Sequence, residues 1–193
     1  MKKVIIIGAS GSLATYVVQE LKRINDISLT LFVRNVKRLK PKIAENCDVI
    51  VGDAMDYSSV KSAIAGHDIV YINLAGNLEE MTKNIVKAMH ETGVKRVIAI
   101  SSIWIYNEPV RAMLIPYRKL ADVIESSGLD YTILRPGFFT KIDEVDYILT
   151  RKGEPEKDTA ISRKSIASFI STIVDDPGLH SKENLGISKP ANV

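Results

Sequence analysis

Two rhythms of apolar residues alternate along this chain. Short unbroken runs rich in β-branched residues come first, beginning with Val4 to Ile7, and such runs suit parallel strands buried on both faces. Between the runs, apolar positions recur at helical spacing, as Leu13, Val17, Val18 and Leu21 do after the first run. The strand pattern returns at Ser28 to Val33, Asp48 to Val51, Asp68 to Leu74, Arg96 to Ile100 and Asp130 to Leu134. Helical patterns cover Met81 to His90, which Gly93 is placed to stop, and Tyr117 to Ser127. A last helix, about Arg163 to Val174, ends at Asp175-Asp176-Pro177-Gly178. Strands alternating with helices in this way predict an α/β fold, a doubly wound parallel sheet. Asp143 to Thr150 and Asp158 to Ile161 are expected as short additional strands around a charged turn.

Composition narrows this picture without redirecting it. A chain of 193 residues with 46% hydrophobic and 25% charged residues is an ordinary globular one, and residues 1–193 are expected to form a single domain. The formal charge of +3 is spread among acids, so no concentrated basic face for nucleic acid is expected. The lone cysteine, Cys47, excludes an internal disulfide and fits a cytoplasmic location. No apolar run approaches the ~18 residues of a membrane span, and the N-terminal run is far too short for a signal peptide. A monomer or a homodimer is expected.

Candidate chemistry begins at the first turn. Gly8 to Ser12 joins the first strand to the first helix, with glycine spacing G-x-x-G-x-x-A from Gly8, Gly11 and Ala14. The opening amides of a helix lack partners within it and carry partial positive charge, and glycine lets a diphosphate approach them. Ser10 and Ser12 add hydroxyls for phosphate oxygens; the plainer reading of the same residues is a turn with a helix N-cap. Arg34 follows the second strand, where an acid would bind the ribose of NAD. A guanidinium there suits the 2′-phosphate of NADP(H), with NAD(H) still admitted, unless Arg34, Lys37, Arg38, Lys40 and Lys42 are only a solvated helix start. Asp53, after the third strand, either meets adenine or, with Asp56, caps the next helix. Small residues, Ala75 and Gly76, end the fourth strand, and Ser101 and Ser102 end the fifth. Trp104, Ile105, Tyr106 and Met113 either line a pocket or cover the sheet. His67, His90 and His180 show no ligand spacing, so no metal site is expected and each is placed at the surface. Neither a G-x-S-x-G elbow nor an H-E-x-x-H helix occurs.

The segments GASGSLA, FVRN, GDAMD, ISSIWIY and above all SSGLDYTILRPGFF together resemble the atypical short-chain dehydrogenase/reductase group of NAD(P)H-binding proteins. That group includes flavin, biliverdin and quinone reductases and the NmrA-like redox sensors. The resemblance implies a Rossmann fold in which Gly8, Ser10, Gly11, Ser12 and Leu13 bind diphosphate and Arg34 the 2′-phosphate. It further implies that Asp53 and Ala54 meet adenine and that Leu74, Ala75 and Gly76 lie along the ribose, with Ser101 beside the cofactor. Pro136, Gly137 and Phe138 would lie near the nicotinamide, Ser102 would be the active-site serine, and the C-terminal elements would lie on the substrate side. The chain departs from the pattern in one respect: Tyr117 is followed four residues later by Ala121, not by the lysine of Y-x-x-x-K. Tyr57 and Lys61 do make that spacing, but they precede the fourth strand and are expected to be a coincidence on a helix surface.

Where the pair is present, lysine lowers the tyrosine pKa for proton exchange with substrate. Without it the first expectation is an NADPH-dependent reductase passing hydride to a flat conjugated acceptor such as a flavin or quinone, which takes up the charge itself. Ser102 would orient the acceptor and Tyr117 would touch it. The alternatives are a non-catalytic NADP(H) sensor of the NmrA-like type and, more weakly, an epimerase-like or dehydratase-like enzyme.

Overall fold

A computed structural model describes residues 1–157 and 160–190 of the chain. The first apolar run is strand β1 (Lys2–Ile7), and its side chains divide between two layers. Val4 and Ile6 face one layer of the core, Ile5 and Ile7 the other, and all four are inaccessible to solvent. Burial on both faces is why the run shows no polar alternation. Helix α1 (Ser12–Leu21) follows the glycine turn, then β2 (Ile27–Val33), a 3₁₀ turn over Val36–Arg38, the short α2 (Pro41–Ala44) and β3 (Asp48–Val51). Helix α3 (Tyr57–Ile64), β4 (Ile69–Ile72), α4 (Leu78–Thr92) and β5 (Arg96–Ile100) complete the first half. The second half has α5 (Ile115–Glu125), β6 (Asp130–Pro136), β7 (Phe139–Thr140), β8 (Ile148–Arg151), β9 (Ile161–Ser162), α6 (Arg163–Asp175) and β10 (Glu183–Ser188).

The main sheet has eight strands in the order β3-β2-β1-β4-β5-β6-β10-β8. Every pairing in it is parallel except that of β10 with the edge strand β8. Apolar residues of α1 and α6 cover one face, and those of α3, α4 and α5 cover the other. Strand order reverses between β1 and β4, and in open sheets of this kind ligands lie beyond the carboxyl ends of the strands at that point. This is the doubly wound parallel sheet that the alternation predicted.

Helix ends follow local chemistry. Asp56 caps α3 by accepting the Ser58 N–H at 3.1 Å, and Ser162 caps α6 by accepting that of Ser165 at 2.9 Å. Gly93 closes α4 in the left-handed conformation, as expected of a C-terminal glycine.

The chain after residue 137 departs most from expectation. Of Asp143 to Thr150 only the end is strand, as β8, and the rest is irregular. The strand expected over Asp158 to Ile161 lies partly outside the described residues, and β9 occupies Ile161–Ser162, pairing with β7 in a small second sheet. Strand β10 was not expected at all. It is short and polar, and only Leu185 and Ile187 contribute to the apolar layer beside α6. Gly186 admits the edge strand, because a Cβ there would come within 2.3 Å of Thr150 Oγ1.

Candidate functional site

At the reversal point the carboxyl ends of β1, β2, β4, β5 and β6 open into a continuous cleft of about 670 Å³. One end is built by the first turn. Gly8 has φ +91°, and a Cβ there would lie 2.2 Å from the Asn73 carbonyl oxygen; one on Gly11 would lie 2.6 Å from Asn73 Nδ2. Gly8 is therefore required for the turn to pass over the end of β4, and Gly11 lets the Asn73 side chain pack closely against it. Gly11 is the N-cap of α1 and has no side chain to offer, so the Ser12 and Leu13 amides meet no acceptor among the described residues. The open amides, with Ser10 and Ser12, face the cleft.

The neighbouring strand end carries the positive charge. Arg34 and Arg38 both line the cleft and are exposed, and neither makes an ion pair or side-chain hydrogen bond among the described residues. Asn35 between them caps the 3₁₀ turn, its Oδ1 accepting the Lys37 N–H at 3.0 Å. Of the two aspartates after β3, Asp56 takes the helix cap, and Asp53 stays at the cleft with Oδ1 accepting the Met55 N–H at 2.9 Å. Ala54, Leu74 and Ala75 line the same wall. Gly76 does not: at φ +106° it turns the chain into α4, and its carbonyl accepts the Leu78 N–H at 2.8 Å.

The other end is aromatic. Ser101, Ser102, Trp104, Met113, Tyr117, Pro136, Gly137 and Phe138 line it. The two serines differ: Ser101 is buried and donates to the Tyr117 carbonyl at 3.0 Å, whereas the half-buried Ser102 hydroxyl has no partner among the described residues. Tyr117 lies in the first turn of α5, and Ala121, one turn on, is fully buried where a lysine would have to sit in the apolar core. Trp104 and Phe138 meet edge to face with centroids 6.2 Å apart, and the Arg111 guanidinium lies 5.1 Å from the Trp104 ring centre. Phe138 is 69% exposed and Met113 75%, so this wall is open to a ligand.

Of the four apolar residues that either lined a pocket or covered the sheet, the structure sends two each way. Trp104 and Met113 line the cleft, Ile105 is buried in the core, and Tyr106 joins a polar network behind the wall. Burial and the Glu125 carboxylate push the Tyr106 phenol above its ordinary pKa. Lys61 pairs with Glu91 on α4 at 2.6 Å and, like Tyr57, stands away from the cleft. His67 bonds Thr30 Oγ1 at 2.8 Å, His180 pairs with Glu183, and His90 is exposed. Among the described residues no group of His, Cys, Asp or Glu is placed to hold a metal, and no helix is long and apolar enough to cross a membrane.

Three contributors escaped the sequence reading. Asn73 packs against both glycines of the turn. Arg163, the first residue of α6, reaches across to donate its Nε–H to Ser12 Oγ at 3.3 Å. Glu156 accepts the backbone N–H of Trp104. Each works across a long sequence separation and has no local signature.

A sequence model of NAD(P)H-binding proteins matches residues 8–177. Among solved structures, a Rossmann-fold NAD(P)-binding family protein from Shigella flexneri is 40% identical, with TM-score 0.92, over 100% of this chain and 95% of that one. A short-chain dehydrogenase/reductase from Veillonella parvula in complex with NADP is 25% identical, with TM-score 0.88, over 98% of this chain and 95% of that one. An isoflavone reductase homologue from Nicotiana tabacum is 23% identical over 99% of this chain and 69% of its own length.

Proposed function

Because the chain belongs to the family of NAD(P)H-binding proteins, we propose that it is an NADPH-dependent reductase that passes a hydride to a flat conjugated acceptor. One observation carries this reading: a single cleft joins open helix amides and two guanidinium groups, unpaired among the described residues, at one end to an exposed aromatic wall at the other. The two glycines leave room that any Cβ would fill, and the Ser12 and Leu13 amides offer donors, so the residues present fit a diphosphate. Gly8, Ser10, Gly11, Ser12 and Leu13 would hold that diphosphate, with Arg34 and Arg38 on a 2′-phosphate and Asp53 and Ala54 beside adenine. Leu74, Ala75 and Ser101 would flank the ribose side.

When bound, the reduced nicotinamide supplies the hydride. Pro136, Gly137 and Phe138 would form its floor, and the Trp104 ring would press the acceptor flat against it while excluding water. Ser102 would donate a hydrogen bond to the acceptor atom on which charge develops. Tyr117 would contact the acceptor without a lysine to assist proton transfer, since Ala121 stands one turn on. That limit favours acceptors which delocalise the incoming charge, such as flavins, quinones or conjugated pigments. A cytoplasmic setting goes with this reading, Cys47 being half-buried and free.

Calorimetry with NADPH and NADH, followed by NADPH consumption with flavins, quinones and aldehydes, tests the proposal. NADPH binding with turnover of a conjugated acceptor is the expected result. Binding without turnover of any acceptor would replace it with the sensor reading, and no binding of either coenzyme would end both.

A further inference from the structure

The aromatic wall is held from behind by a carboxylate. Glu156 lies in the segment after β8, and its two oxygens serve different parts of the molecule. Oε2 accepts the backbone N–H of Trp104 at 2.7 Å, and Oε1 accepts the Nε–H of Arg135 at 2.7 Å. Arg135 is 1% exposed and sits on β6 immediately before Pro136 and Gly137. Its Nη1 donates to the Asn184 carbonyl at 2.8 Å and to Asn184 Oδ1 at 2.5 Å. Asn184 in turn donates Nδ2 to the Tyr106 hydroxyl at 2.7 Å and to Glu125 Oε1 at 2.9 Å. The segment after β5 is thus gripped at the Trp104 amide and at the Tyr106 hydroxyl, while Ile105 between them is locked in the core. Within that grip Trp104 has φ +65°, a left-handed conformation that side chains other than glycine adopt only when their surroundings enforce it.

We propose that Glu156 is the positioning residue of the acceptor site. Its carboxylate holds the Trp104 backbone in the left-handed conformation and so sets the indole against Phe138 and beside Arg111. The consequence for turnover rests on the reductase reading; the effect on Trp104 does not. Both oxygens are needed as acceptors, because both groups facing them are donors. Glutamine would turn an NH₂ toward either the Trp104 amide or Arg135, losing one bond and leaving the buried guanidinium without its counter-charge.

Trp104 is the single tryptophan of the chain, so fluorescence excited selectively in tryptophan reports on this wall. Glu156→Gln, without coenzyme, is expected to shift the emission to the red and to increase quenching by acrylamide. With flavin mononucleotide or menadione as acceptor, KM should rise about tenfold, as for loss of a charge-assisted bond, with kcat and NADPH affinity within about threefold of wild type. Ile170→Ala, on the buried face of α6, should lower stability but leave the quenching and the acceptor KM unmoved. If Glu156→Gln does not fold, Glu156→Asp keeps the charge beside Arg135, draws back from the Trp104 amide, and is read by the same measurements. Wild-type quenching in the Glu156 variant would overturn the assignment, as would equal quenching in Ile170→Ala. Absence of NADPH binding or turnover in the wild type would instead remove the reductase reading, and the fluorescence would still decide the role of Glu156.

Discussion

Removing the Arg34 side chain should separate the two nicotinamide coenzymes. Arg34 is exposed at the end of β2, lines the cleft, and has no intramolecular partner among the described residues, so Arg34→Ala should change stability by no more than about 0.5 kcal/mol. Any change in coenzyme affinity then belongs to the binding step. A hydrogen bond to a charged group contributes about 1.5–3 kcal/mol, and exposure puts Arg34 at the lower end of that range. At about 1.4 kcal/mol per tenfold, the NADPH dissociation constant should rise about tenfold, while that for NADH stays within about twofold. Arg38 lines the same wall, so Arg34→Ala/Arg38→Ala should lose about a hundredfold if the two guanidinium groups act independently. Both losses should shrink in high salt, since the groups are solvated. Calorimetric titration of each variant with both coenzymes, at low and high ionic strength, reads all of this. Equal loss of NADPH and NADH affinity would refute the assignment of Arg34 to the 2′-phosphate, and so would a wild type that prefers NADH.

Ser102→Ala should slow turnover about tenfold, the value of one hydrogen bond made to developing charge, and leave the NADPH dissociation constant within about twofold; a steady-state assay paired with calorimetry checks both. Gly8→Ala places a Cβ 2.2 Å from a backbone oxygen at φ +91°, so urea unfolding should show a loss of more than about 2 kcal/mol. Arg163→Ala removes the guanidinium that donates to Ser12 Oγ beside the diphosphate amides, and it should weaken NADPH and NADH alike, by about tenfold. A loss confined to NADPH would place Arg163 elsewhere.

How far each feature could be read from the residues depends on how local its cause is. The strand, turn and helix from Lys2 to Leu21 were legible because each rests on neighbours: a β-branched run buried on both faces, a glycine at positive φ, and an apolar helical stripe. The same holds for the end of α4 at Gly93 and for the five later parallel strands β2 to β6. Strand β10 was not legible, since Glu183–Ser188 owes its place to partners on both sides, β6 and the antiparallel β8, rather than to an apolar pattern of its own. Trp104, Ile105 and Tyr106 are adjacent aromatic or aliphatic residues with three different fates, which only the backbone at Trp104 decides.

Arg135 shows where a motif and a site part company. It lies inside SSGLDYTILRPGFF, the segment that carries most of the family resemblance, yet it is absent from the cleft lining and its guanidinium points into the molecule. Its partners are Glu156, 21 residues away, and Asn184, 49 residues away. A buried guanidinium needs a counter-charge and acceptors for its donors, and the chain supplies them from two segments that meet only after the sheet is assembled. The motif therefore marks the family partly through what supports the cleft, and its arginine speaks for the architecture behind Trp104 rather than for the ligand in front of it.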